Sequence, residues 1–126
     1  NQNDVPILLS GKSYGGRMAS HLLAEHSFDQ VKGIIYFGFP LHAPGRDSKD
    51  RAAHLPNIQV PQLFLQGTKD ALANSSLMKE VVNELPKSTI VEFENSDHSF
   101  KTKGKKIEEV ITQLAEETNR WISLTV

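Results

Sequence analysis

Apolar residues along this chain fall into two rhythms. Short, nearly unbroken runs stand at residues 5–9, 31–38, 62–67 and 89–94. They are too short for helices and predict strands. The run Val31-Lys32-Gly33-Ile34-Ile35-Tyr36-Phe37-Gly38 is almost continuous, as expected of a parallel-sheet strand covered on both faces. Elsewhere apolar positions recur three and four residues apart. Met18, Leu22 and Leu23 mark a helix over residues 15–26, and its small Gly15, Gly16, Ala19 and Ser20 predict close packing on a sheet. Leu77, Met78, Val81, Val82 and Leu85 mark a second helix, stopped by Pro86. Ile107, Val110, Ile111, Leu114, Trp121 and Ile122 draw the stripe of a long final one. Residues 39–61 hold Pro40, Pro44, Pro56 and Pro61 with charges between, and predict an irregular segment with a short helix around Lys49–His54. The order β-α-β-loop-β-α-β-α predicts an α/β fold, a three-layer α/β/α arrangement on a mostly parallel sheet with right-handed crossovers.

Composition narrows the classes. A length of 126 residues favours one domain over residues 1–126, and 38% hydrophobic with 23% charged residues is ordinary for a globular chain. A net charge of −1 gives no general attraction to nucleic acid or to an anionic membrane. No apolar run nears the roughly 18 residues that a membrane helix needs. Asn1-Gln2-Asn3-Asp4 lacks the basic and apolar regions of a signal peptide. The absence of cysteine excludes a disulfide, a thiolate metal site and a thiol nucleophile. A cytoplasmic chain is the expectation.

Gly11-Lys12-Ser13-Tyr14-Gly15-Gly16 lies between the first strand and the first helix and satisfies G-x-S-x-G. A strand turning sharply into a helix strains the residue at the turn and lifts its side chain above the strand ends. Glycines two positions to either side, Gly11 and Gly15, remove side chains that would collide there. The helix start aims free N–H groups at the same spot, so the N–H of Tyr14 is the candidate oxyanion donor. Five-residue patterns of this looseness recur by chance, and a glycine-rich turn without chemistry is the ordinary alternative. Gly16 and the strand-before, helix-after context favour Ser13 as a nucleophile.

A serine hydroxyl needs a base, oriented in turn by a carboxylate. His98 stands beyond the fourth strand, in Asn95-Ser96-Asp97-His98-Ser99-Phe100, and Asp70 beyond the third, in Gln66-Gly67-Thr68-Lys69-Asp70. Parallel strands bring these loops and the Ser13 turn to one carboxyl edge, where open α/β sheets bind ligands. Asp70 is also a natural turn or cap residue, and His98 an ordinary loop histidine. Asp97 competes as the orienting acid, although an immediate neighbour rarely reaches its own histidine's Nδ1. Phe39, Leu41 and His42 leave the second strand at the same edge and are the candidate substrate-binding residues, with loop packing as the even alternative.

Other signals carry less. Gly11-Lys12-Ser13 resembles the end of a phosphate-binding loop, but that pattern needs glycine where Pro6 stands. Lysines 101, 103, 105 and 106 read as a solvated face. His21 and His26 lack the i, i+4 spacing of a helical metal pair, and His42 and His54 have no carboxylate at ligand spacing, so no metal is expected. Lys12 and Arg17 flank the turn, as solvated surface or facing an anionic acyl group.

Gly11-Lys12-Ser13-Tyr14-Gly15-Gly16-Arg17, Pro61-Gln62-Leu63-Phe64-Leu65-Gln66-Gly67-Thr68-Lys69-Asp70 and Asp97-His98-Ser99-Phe100 together resemble the α/β-hydrolase superfamily. The likeness is greatest to its small lidless branch of dienelactone-hydrolase-like proteins and small carboxylesterases. The resemblance implies Ser13 as nucleophile, Asp70 as acid and His98 as base. It implies cleavage of a small ester, or a related acyl bond, through an acyl-enzyme without a cofactor. It also implies an eight-stranded sheet, of which this sequence supplies the last four strands, so the domain is expected to be incomplete at its N-terminus. The second oxyanion donor would come from a loop ahead of Val5. The first strand's open edge would then invite a second copy or the remaining half of the fold. The alternative is a hydrolase-like scaffold with weak or no turnover, acting as an interaction module through that edge.

Overall fold

A computed structural model describes residues 5–126; the expectation for Asn1–Asp4 lies outside the described residues. Strands β1 (Ile7–Lys12), β2 (Val31–Phe37), β3 (Gln62–Gly67) and β4 (Ser88–Phe93) form one sheet in that spatial order, with every neighbouring pair parallel. Helices α1 (Tyr14–Glu25), α2 (Ser75–Asn83) and α3 (Ile107–Thr125) complete the three layers.

The alternation of side chains along the central strands explains the layering. Ile34, Tyr36 and Phe64 point to one face, where they pack with Leu23 of α1, Met78, Val81 and Val82 of α2, and the irregular segment's Phe39, Leu41, Leu55 and Ile58. Ile35, Leu63 and Leu65 point to the other, against Val110 and Trp121 of α3. Gly33 makes room for Trp121: a Cβ there would lie 2.8 Å from the indole ring. The central strand β3 is buried at every residue, which explains its unbroken apolar reading.

Three expectations need correction. β1 begins at Ile7 and runs on through Ser10-Gly11-Lys12, rather than ending at Leu9. Among the described residues it has a neighbour on one side only, so polar Ser10 and Lys12 are tolerated in it. On α1 the buried positions are Gly16, Ser20 and Leu23, whereas Met18 and Leu22 are 37% and 45% exposed. Small residues let this helix approach the sheet, and its two larger ones face outward. The short helix expected around Lys49–His54 is a pair of 3₁₀ turns, Asp50–Ala52 and Leu55–Asn57.

A buried polar chain fastens these turns to the sheet. The Tyr36 hydroxyl donates to Gln62 Oε1 (2.7 Å), and Gln62 Nε2 donates to the Leu55 carbonyl (3.3 Å). Burial pushes the Tyr36 hydroxyl's pKa upward, so it stays a donor. Along the open side of β1, a groove is lined by Ile7, Leu9, Leu22, Phe28 and Val31.

Candidate active site

Ser13 occupies the single residue between β1 and α1, with φ 53° and ψ −121°. A non-glycine residue with positive φ is uncommon, and such strain persists only where neighbours enforce it. Enforcement comes from both sides of the turn. The Ser13 N–H donates to the Phe37 carbonyl of β2 at 3.0 Å, and its carbonyl accepts the Arg17 N–H at 3.1 Å. Strand and helix cross at two glycines: a Cβ on Gly11 would lie 2.3 Å from the Gly16 nitrogen, and one on Gly16 would lie 2.8 Å from the Gly11 carbonyl oxygen. Gly15 has open space around it, so the steric need falls on Gly11 and Gly16 rather than on Gly11 and Gly15.

The loops after β3 and β4 are tied together as one rim. The Asn95 N–H donates to Thr68 Oγ1 at 2.8 Å and the Lys69 N–H to the Ser96 carbonyl at 2.9 Å. Within the β4 loop, Asp97 Oδ1 accepts the N–H groups of Ser99 and Lys101, both at 2.9 Å. Its carboxylate therefore shapes the turn that carries His98, whose Nδ1 faces Asp70 instead.

The rim brings three of the expected residues together. Ser13 Oγ lies 2.7 Å from His98 Nε2, and His98 Nδ1 lies 2.7 Å from Asp70 Oδ2. An aspartate oxygen can only accept, so Nδ1 carries the proton and Nε2 is left as the acceptor facing the hydroxyl. The Asp70 side chain is fully buried and that of His98 is 21% exposed. Asp70 Oδ1 also accepts the Leu72 N–H at 2.7 Å, which fixes the carboxylate's rotation.

Gln66 stands behind the carboxylate and carries no signal of its own beyond being polar in a buried strand. Its Oε1 accepts the Phe39 N–H, and its Nε2 lies 3.5 Å from Asp70 Oδ2. Its amide thus joins the ends of β2 and β3 behind Asp70. The clue was available: a buried amide between Leu65 and Gly67 requires partners.

Phe39, Leu41 and His42 are placed differently from the expectation. Phe39 and Leu41 are fully buried, and Phe39 packs edge-on against Tyr36 and Phe64. His42 is also buried: its Nδ1 donates to the Ala43 carbonyl, and its Nε2 accepts the Asn74 N–H at 2.8 Å. These side chains build the wall beneath the rim, and none presents a surface to solvent. Tyr14 does so, being 65% exposed beside Ser13. As the first residue of α1 its N–H has no acceptor within the helix.

The sequence matches the family described as "Alpha/beta hydrolase domain" over residues 1–123. The chain belongs to that family. A curated relative, an AB hydrolase superfamily protein (YisY) of Bacillus subtilis, is 36% identical over 84 residues, covering 66% of this chain and 30% of the relative. Among solved structures, a dienelactone hydrolase from Anabaena variabilis superposes with a TM-score of 0.66 at 18% identity, over 94% of this chain and 49% of its own. The esterase RhEst1 from a Rhodococcus species gives 0.68 at 17% identity, over 99% and 68% respectively. An α/β serine hydrolase homologue from Coxiella burnetii gives 0.66 at 20%, over 91% and 48%. This α/β-hydrolase chain thus spans 30% of its curated relative and about half of the dienelactone hydrolase.

Proposed function

We propose that this α/β-hydrolase-family chain belongs to a serine esterase, a hydrolase that cleaves a small carboxylic ester, or a related acyl bond, through an acyl-enzyme. The observation that carries this reading is the unbroken line Ser13 Oγ, His98 Nε2, His98 Nδ1, Asp70 Oδ2, with both contacts at 2.7 Å. His98 Nε2 takes the hydroxyl proton as Ser13 Oγ attacks the ester carbonyl. The imidazolium is stabilised by the buried Asp70 carboxylate and returns the proton to the departing alcohol. Water then repeats the cycle on the acyl-Ser13 ester. The Tyr14 N–H donates to the oxyanion at each tetrahedral stage. No metal or cofactor takes part in this scheme.

A second reading is favoured by the half-open β1: a hydrolase-like scaffold that associates through its free edge with a further strand, from a second copy or from the rest of the fold. One experiment separates the two. A fluorophosphonate probe should label Ser13, with labelling lost in Ser13→Ala and in His98→Ala, and p-nitrophenyl acetate should be hydrolysed by the same variants that label. An unlabelled, inert protein would leave only the scaffold.

A further inference from the structure

The line from Ser13 to Asp70 uses only the first residue of the turn into α1. Arg17 stands four residues further on in α1, and its N–H donates to the Ser13 carbonyl at 3.1 Å. Its Nε is buried and has no hydrogen-bond partner, and no carboxylate among the described residues pairs with its guanidinium. Three other cations do have carboxylate partners: Lys49 pairs with Glu80, Lys79 with Glu92 and Arg120 with Glu117.

Two imidazoles add to Arg17. The rings of His21 and His54 stack at 3.7 Å with 13° between their planes. The Ser20 hydroxyl donates to the Arg17 carbonyl and so accepts from His54 Nε2–H at 2.6 Å. That bond holds the His54 ring at α1; its Nδ1 would donate to an anion only on taking up a proton, which a bound anion favours. Burial first, then the charges of His21 and Arg17 crowded beside it, push His54 down to about 4. An oxyanion would relieve this crowding and occupy the guanidinium, whose planar fork matches carboxylate and phosphate oxygens.

We propose that Arg17, His21 and His54 form an anion subsite beside Ser13, which takes the carboxylate or phosphate group of an anionic ester substrate. The substrate half of this proposal rests on the serine-esterase reading; the anion site itself does not.

The test compares 4-nitrophenyl hemisuccinate with the neutral 4-nitrophenyl butyrate. The kcat/KM ratio should favour the anionic ester by about tenfold, the scale of one charge-assisted hydrogen bond. Arg17→Gln should abolish that preference and Arg17→Lys should restore part of it, a pattern that a purely structural arginine would not produce. Independently of turnover, inorganic phosphate should shift the imidazole NMR signals of His21 and His54, assigned through His21→Gln and His54→Gln, and Arg17→Gln should remove the shift. A phosphate shift without hemisuccinate preference upholds the subsite and assigns it to phosphate-bearing ligands. Unmoved imidazole signals together with equal ester ratios in wild type and Arg17→Gln overturn it. Should neither ester be hydrolysed, the esterase reading falls, and the phosphate titration alone decides the subsite: vanishing shifts in Arg17→Gln uphold it, and unmoved signals end it.

Discussion

The molecule contains two serine–histidine hydrogen bonds of nearly equal length, Ser13 to His98 at 2.7 Å and Ser20 to His54 at 2.6 Å. Distance alone does not distinguish them, but their surroundings do. Behind His98 stands a buried carboxylate that stabilises an imidazolium; near His54 stand Arg17 and His21, which oppose one. Ser13 sits at the sheet's rim on a strained turn, whereas Ser20 is fully buried inside α1 with its hydroxyl committed to the Arg17 carbonyl. On the proposed reading the first pair moves a proton, whereas the second holds two segments together. A serine beside a histidine is therefore no mechanism until the third group is known.

The comparison is broken most directly by exchanging the serines. Ser13→Ala should lower ester hydrolysis by on the order of 10⁴-fold or more. Ser20→Ala should leave turnover measurable, but lose about 1–2 kcal/mol of stability in urea unfolding, because the His54 N–H loses its acceptor. Equal losses of activity in both would refute the division of labour.

Next in size is the group behind the imidazole. Asp70→Asn keeps the shape but favours the wrong tautomer of His98, and kcat should fall by on the order of 10⁴-fold. Gln66→Leu should have a smaller effect, about tenfold in kcat with KM little changed, since it loosens Asp70 without removing charge. A Gln66→Leu protein with unaltered kcat would show that the Leu72 N–H and His98 suffice to hold the carboxylate.

The last effect concerns acid. In the folded chain His54 titrates at about 4, against 6.5 when unfolded. Between those values the unfolded chain binds a proton that the folded chain does not, so stability should fall as pH drops from 6.5 towards 4. His54→Gln should flatten this dependence in urea titrations at several pH values. An unchanged slope would mean that His54 does not contribute to it.

Much of this was legible before any coordinates. The succession of elements along the chain, the parallel sheet and the line from Ser13 through His98 to Asp70 follow from short apolar runs, chain order and the rule that parallel strands share a rim. What escaped depends on contacts that leave no periodic trace. Ser20 and His54 lie 34 residues apart, and nothing in either neighbourhood announces the other. Met18 and Leu22 read as buried because helical spacing identifies a face without saying whether anything covers it. Gly15 fits the motif, but only the crossing of β1 over α1 shows that Gly16 carries the steric need. Phe39 and Leu41 leave the correct edge of the sheet, yet an apolar side chain there is equally able to fold under the rim as to line it.

The backbone of Ser13 has one more implication. A residue without a side chain would sit at φ 53°, ψ −121° far more comfortably than serine does. Ser13→Gly should therefore yield a protein that melts later and does no chemistry. Optimising this chain for durability alone would begin by discarding the Ser13 hydroxyl, the proposed nucleophile, so thermal robustness is a poor guide to which versions of it still work.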